Sequence, residues 1–63
     1  MRNPNRIESI LALIRKIWYR YPDLRLTQII MNALNMASDP YYIEDEKLKK
    51  ALEEYIEKME ETH

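Results

Sequence analysis

Apolar residues recur at helical spacing in three separate segments of the chain. In the first segment they fall at steps of three and four residues, which predicts a helix with one buried face. Asn3 suits the cap position and Pro4 the first helical position, where a missing N–H costs nothing. Pro22 ends the segment, because the residue before proline is pushed out of the α region. We expect this helix over 4–21. Its stripe comprises Ile7, Ile10, Leu11, Ile14, Ile17, Trp18 and Tyr21.

The second segment begins almost immediately after Pro22. Asp23 is the natural cap, because its carboxylate can accept from the free N–H groups of the next turn. We expect the helix over 24–37, before Ser38-Asp39-Pro40 stops it. Its apolar stripe comprises Leu26, Ile29, Ile30, Ala33, Leu34 and Ala37.

The third segment predicts a helix over 45–60, after a short extended connector at residues 41–43. Two residues can cap this helix. Asp45 is chemically the better cap, whereas Glu44 would allow Ile43 and Leu48 to form a hydrophobic staple. We expect the last turn to fray, because acidic residues lie there at the negative end of the helix dipole. Its stripe comprises Leu48, Ala51, Leu52, Tyr55, Ile56 and Met59.

Three amphipathic helices with short connections predict an all-α fold: a small three-helix domain comprising residues 1–63. The first connection lies within WYRYPDLRLTQIIMN, residues 18–32. Here Trp18 would fill the junction of the first two helices. Pro22 and Asp23 would end one helix and cap the next. We therefore interpret the segment as a packed corner.

The corner also carries a resemblance. Its pattern W-x-x-x-P-D-L-x-L-x-Q resembles the YihD-like small bacterial proteins, and with the "IED..L" start of the third helix it is similar to short phage and bacterial proteins of unassigned function. The matching residues are Trp18, Pro22, Asp23, Leu24, Leu26, Gln28, Ile29, Ile43, Glu44, Asp45 and Leu48. The resemblance implies a small helical domain, with no activity attached to it.

The chain's size and composition limit its possible functions. A chain of 63 residues buries only about 60% of the surface that its unfolded form exposes, so its stability is marginal without help. Cysteine is absent and the single histidine is His63, which argues against an enzyme, a cofactor or a metal site. Good helix packing or self-association must supply the stability. No apolar run is long enough to span a membrane, and no signal-peptide pattern is present, so the cytoplasm is the expected location.

Charge is distributed unevenly along the chain. Basic residues outnumber acidic ones in residues 1–25, and acidic residues predominate afterwards, although the net charge is only −1. Because folding places the helices side by side, we expect the two halves to pair within one chain.

Binding is the function that remains, and the favoured partner is a protein, either foreign or a second copy. Several large apolar residues lie outside the three stripes or around the connections, and aromatic residues and Met are enriched in interfaces. The candidate interface consists of Leu13, Trp18, Tyr19, Met31, Tyr41 and Tyr42.

The alternative is a nucleic-acid or nucleotide-binding helix pair. Arg, Gln and Asn side chains can contact bases and phosphates. Its candidate contacts are Arg15, Arg20, Arg25, Gln28 and Asn32. The sequence pI of about 5.8 argues against it, because affinity for DNA comes largely from phosphate contacts.

Overall fold

The protein is an all-α three-helix domain. The computed structural model describes residues 4–35 and 39–61, and this part of the chain contains three helices and no strand. Helix α1 comprises Asn5–Arg20, α2 comprises Leu26–Leu34 and α3 comprises Asp45–Glu61. The predicted fold class is confirmed.

The helices form two layers. Helix α3 contacts both α1 and α2 more extensively than these two contact each other. The shortest dimension of the molecule is 19 Å, which corresponds to two helices of about 10 Å diameter. Helices α1 and α2 therefore form one layer, and α3 covers one face of it.

One buried residue from each helix meets at the centre of the core. Ile17 of α1, Ile29 of α2 and Leu52 of α3 are all 0% exposed. Ile56 and Met59 of α3 complete the buried cluster. The partly buried residues packed against it are Ile10, Leu13, Ile14, Leu24, Ala33, Leu48 and Tyr55.

Two ion pairs connect α1 with α3, as the uneven charge distribution predicted. Near the start of both helices, Arg6 Nε lies 2.7 Å from Asp45 Oδ2. Near their ends, Lys16 Nζ lies 2.8 Å from Glu60 Oε1. Helices α1 and α3 therefore run parallel. Because all four side chains are partly solvated, each pair contributes at most about 1 kcal/mol, and the main effect is on alignment.

The predicted ends of α1 need small corrections. Pro4 occupies the cap position and Asn5 is the first helical residue, while Asn3 lies outside the described residues. At the other end, Tyr21 leaves the helical region with φ −127° and ψ 69°, which agrees with the restriction that Pro22 imposes on its neighbour.

Helix α2 is shorter than predicted, and Asp23 is not its cap. The Leu24 N–H donates to the Tyr21 carbonyl over 3.1 Å, so residue 24 belongs to a turn and Arg25 takes the cap position. The Arg25 N–H donates to Gln28 Oε1 over 2.8 Å. The helix ends at Leu34 because Asn35 adopts the left-handed conformation, with φ 56° and ψ 47°. Ala37 and Ser38 lie outside the described residues.

Of the two candidate caps of α3, Glu44 occupies the cap position and Asp45 is the first helical residue. The Leu48 N–H donates to the Glu44 carbonyl over 3.0 Å, which places Glu44 at the cap position before the first helical residue. The helix continues to Glu61, one residue beyond the predicted end, so the last turn, where we expected fraying, is helical in the structure. Buried Met59 and the Lys16–Glu60 ion pair hold its last turn.

The connector before α3 is a turn, in place of the expected extended segment. The Ile43 N–H donates to the Pro40 carbonyl over 3.0 Å. The Tyr41 N–H donates to Asp39 Oδ1 over 2.9 Å, an aspartate turn that competes with extended backbone.

The central position of Ile17 generates a stability prediction. We expect Ile17→Ala to lower the free energy of unfolding by about 2–5 kcal/mol, because it leaves a cavity among the three helices. Ile17→Val should cost about 0.5–1.5 kcal/mol. Urea unfolding followed by circular dichroism measures both variants. Equal and small losses for the two would contradict the central position of this side chain.

Candidate functional site: an apolar groove formed by α1 and α2

The apolar stripe of α1 is only partly covered by the core. Ile7, Leu11 and Trp18 remain 48%, 47% and 38% exposed, although the sequence placed all three in the buried face. Leu13 shows the opposite error: we expected it on a free flank of α1, and it packs against the core cluster. The buried face of α1 is thus rotated toward Leu13 relative to the prediction.

The uncovered part of the stripe faces away from α3. Leu11 is five residues from both Arg6 and Lys16, which corresponds to about 140° around the helix from each. Arg6 and Lys16 are the α1 residues that form ion pairs with α3. The exposed apolar residues therefore lie on the open face of the α1–α2 layer.

This open face contains a groove with a volume of about 470 Å³. Helix α1 forms one wall, and the α1–α2 corner with the first residue of α2 forms the other. Arg15 is the only charged residue among those that line it. The lining residues are Leu11, Ile14, Arg15, Trp18, Tyr19, Pro22 and Leu26. We refer to this set as the α1–α2 groove.

Trp18 is held in place at the base of the corner. Its indole Nε1–H donates to the Leu24 carbonyl over 2.8 Å. The predicted contact between this side chain and the corner is therefore present, whereas its predicted burial is not. Since the polar edge of the indole is already bonded, the exposed part of the side chain is apolar ring.

The predicted interface residues do not form one surface. Trp18 and Tyr19 line the groove, and Tyr19 is 82% exposed. Met31 is half-buried on α2. Tyr41 and Tyr42 are exposed and pack edge to face, with ring centroids 5.0 Å apart. These two tyrosines precede α3 and so lie at the other end of the molecule from the α1–α2 corner.

Three of the groove residues were expected to lie entirely in the core: Leu11, Ile14 and Leu26. The width of the α1 stripe was the available signal. At about 100° per residue, the apolar positions of α1 occupy an arc of roughly 160° around the helix axis, with Leu13 at one edge and Leu11 at the other. A stripe this wide can contact the core and still leave apolar surface uncovered.

The five candidate nucleic-acid contacts are all exposed, but their surroundings differ. Arg15 borders the apolar groove, and Gln28 Oε1 already accepts the Arg25 N–H. Helix α2 itself, Leu26–Leu34, contains no basic residue. The alternative function therefore stays a prediction. The exposed set is Arg15, Arg20, Arg25, Gln28 and Asn32.

Neither a cluster of metal ligands nor a membrane-spanning helix is present in the part of the chain that the structure describes. Within residues 4–35 and 39–61, no group of three His, Cys, Asp or Glu side chains is placed to hold a metal ion. In the same part of the chain, every helix is too short or too polar to cross a bilayer. No protein-family model, curated protein or solved structure matches the chain, so the groove must be interpreted from its own geometry.

The Trp18 hydrogen bond generates a second prediction. Trp18→Phe removes the donor to the Leu24 carbonyl, so we expect the free energy of unfolding to fall by about 0.5–1.5 kcal/mol. Tyr19→Phe is the matched control, since that side chain is largely exposed and should change stability by less than about 0.5 kcal/mol. Chemical unfolding at one fixed protein concentration compares them. Equal stabilities would show that the bond does not hold the corner.

Proposed function

We propose that this protein is a small non-enzymatic protein-binding domain, and that the α1–α2 groove accepts the apolar face of an amphipathic helix. By analogy with the short phage and bacterial proteins to which the sequence is similar, the partner would be a host or viral protein and the role that of a phage or bacterial accessory protein. The observation that carries the proposal is the exposed apolar row of Leu11, Trp18 and Leu26 on the open face of the α1–α2 layer.

The composition of the groove favours a protein over a small molecule. Small-molecule sites combine apolar walls with several polar groups that fix the ligand's orientation. Here Arg15 provides the only charge among the lining residues, and the indole N–H of Trp18 is already bonded. Such a surface offers buried apolar area and little directional recognition, which suits a helix that inserts regularly spaced side chains.

The layer arrangement supplies the reason for a helical ligand. Helix α3 covers one face of the α1–α2 layer, and the opposite face retains large apolar residues. Helices commonly bury such faces against further antiparallel neighbours, as in four-helix bundles. A helix laid along the groove would therefore complete the packing of α1.

Site-specific photocrosslinking tests this function. Tyr19 at the edge of the groove is replaced by p-benzoylphenylalanine, and the matched control carries the same replacement at Tyr42, which is 87% exposed and distant from the groove. In irradiated cells that express each variant, we expect protein adducts from position 19 only. Peptide mapping should place the linked site within an amphipathic helix.

A second substitution connects the adduct to the groove. Leu11→Glu introduces a charge among the apolar lining residues, so it should abolish the adduct from position 19, while folding is checked by circular dichroism. Adducts that nuclease removes would favour the nucleic-acid alternative. Adducts that persist in the Leu11→Glu variant, or that form equally from position 42, would refute the proposed groove function.

A further inference from the structure

We infer that the helix which occupies the α1–α2 groove is α1 of a second copy of this chain, packed antiparallel across a two-fold axis. This inference rests on the proposed function and names the partner that the groove binds. Four observations support it. Three concern α1: the heptad spacing of its apolar residues, the two charged residues beside them, and the hydrogen bond that fixes the Trp18 side chain. The fourth is the accessible surface area of the chain.

The exposed apolar residues of α1, together with half-buried Ile14, have the spacing of a helix–helix seam. Ile7, Leu11, Ile14 and Trp18 follow one another at steps of four, three and four residues, which is the a/d pattern of a heptad. In an antiparallel pair centred between residues 12 and 13, Leu11 would pack against Ile14 of the second copy. Ile7 would then pack against Trp18 of that copy, so every member of the seam has an apolar partner.

Two charges flank this seam in the order that an antiparallel pair requires. Glu8 and Arg15 are seven residues apart, so they lie on the same flank of α1, beside Leu11 and Ile14. Within residues 4–35 and 39–61, neither side chain forms an ion pair. The two-fold axis would bring Glu8 of each copy beside Arg15 of the other, which gives two symmetric ion pairs. In a parallel pair, these flanks of the two copies would lie on opposite sides of the seam, so Glu8 of one copy would not meet Arg15 of the other.

The chain exposes more surface than a compact monomer of its mass would expose. Its accessible surface of 5319 Å² exceeds by about 1,000 Å² the value expected of a compact monomer of 7.7 kDa. A standard protein–protein interface buries about 800 Å² on each partner. The same surplus is visible in the radius of gyration, 11.7 Å, against about 10.6 Å for a compact domain of this length.

Trp18 is suited to be the anchor of this contact. Its side chain is fixed by the hydrogen bond to the Leu24 carbonyl, so little side-chain freedom is lost when the ring is covered. Tryptophan is among the residue types that contribute most to binding energy at interfaces. Since it is the only tryptophan in the chain, its emission also reports directly on occupation of the groove.

Sedimentation equilibrium over a range of concentrations measures the association. We expect the wild-type chain to form a dimer, with a blue shift of the Trp18 emission as dimer accumulates. Leu11→Glu should be monomeric at concentrations where the wild type is dimeric, and Tyr42→Glu, which alters an exposed residue far from the groove, should not change the dissociation constant.

Charge reversal tests the antiparallel arrangement separately. Glu8→Lys would place an ammonium group beside Arg15 of the second copy, and Arg15→Glu would place two carboxylates together, so each variant alone should dissociate about tenfold more readily. In an equimolar mixture, the chain with Glu8→Lys is basic at both positions and the chain with Arg15→Glu is acidic at both, so both pairs in the heterodimer are attractive and the heterodimer should form in preference to either homodimer. We expect the chain with both substitutions to recover wild-type affinity, because exchange of the two charges preserves each pair.

The possible outcomes separate the inference from the function on which it rests. A chain that stays monomeric up to millimolar concentration, or a doubly substituted chain that gains no affinity over the single variants, would overturn the α1–α1 pairing. In that case a groove-dependent adduct to a foreign helix from position 19 would leave the proposed function intact. Absence of any groove-dependent adduct would remove the function itself.

Discussion

The contact among Ile17, Ile29 and Leu52 is the constraint on which the rest of the structure depends. Each residue belongs to a different helix, and each is completely inaccessible to solvent. In a chain without disulfides, no covalent link can replace this contact. Once Ile17 points to the centre, the position of every other α1 side chain is fixed by helical geometry, including those that remain outside.

The groove is thus a consequence of the core. Helix α1 has an apolar stripe of roughly 160°, and α2 and α3 cover only the part of it around Ile17. The remainder lies opposite α3, because the ion pairs of Arg6 and Lys16 hold α3 against the other side of α1. Exposed apolar patches of this kind mark surfaces that interact with proteins, membranes or ligands.

The sequence was sufficient to predict the three helices, their order, and ion pairs between the basic residues of 1–25 and the acidic residues that follow. These features depend on local periodicity and on the distribution of charged residues along the chain. It could not predict which part of the α1 stripe would be covered, because that depends on where α2 and α3 pack. Leu11 and Leu13 exchanged their expected roles for this reason. The late start of α2 was not predicted, because Asp23 is a good cap by residue type and the sequence does not show that the Leu24 N–H donates to the Tyr21 carbonyl and so places residue 24 in a turn.

The separation of roles around α1 has an evolutionary consequence. The helix presents a core side, an ion-pair side and a groove side within 16 residues. Inserting or deleting one residue within it would rotate everything downstream by about 100°, which would misalign all three sides together. Changes of side chain can therefore modify one side at a time, whereas changes in the length of α1 cannot, so length variation among descendants of this gene should be confined to its termini and connections.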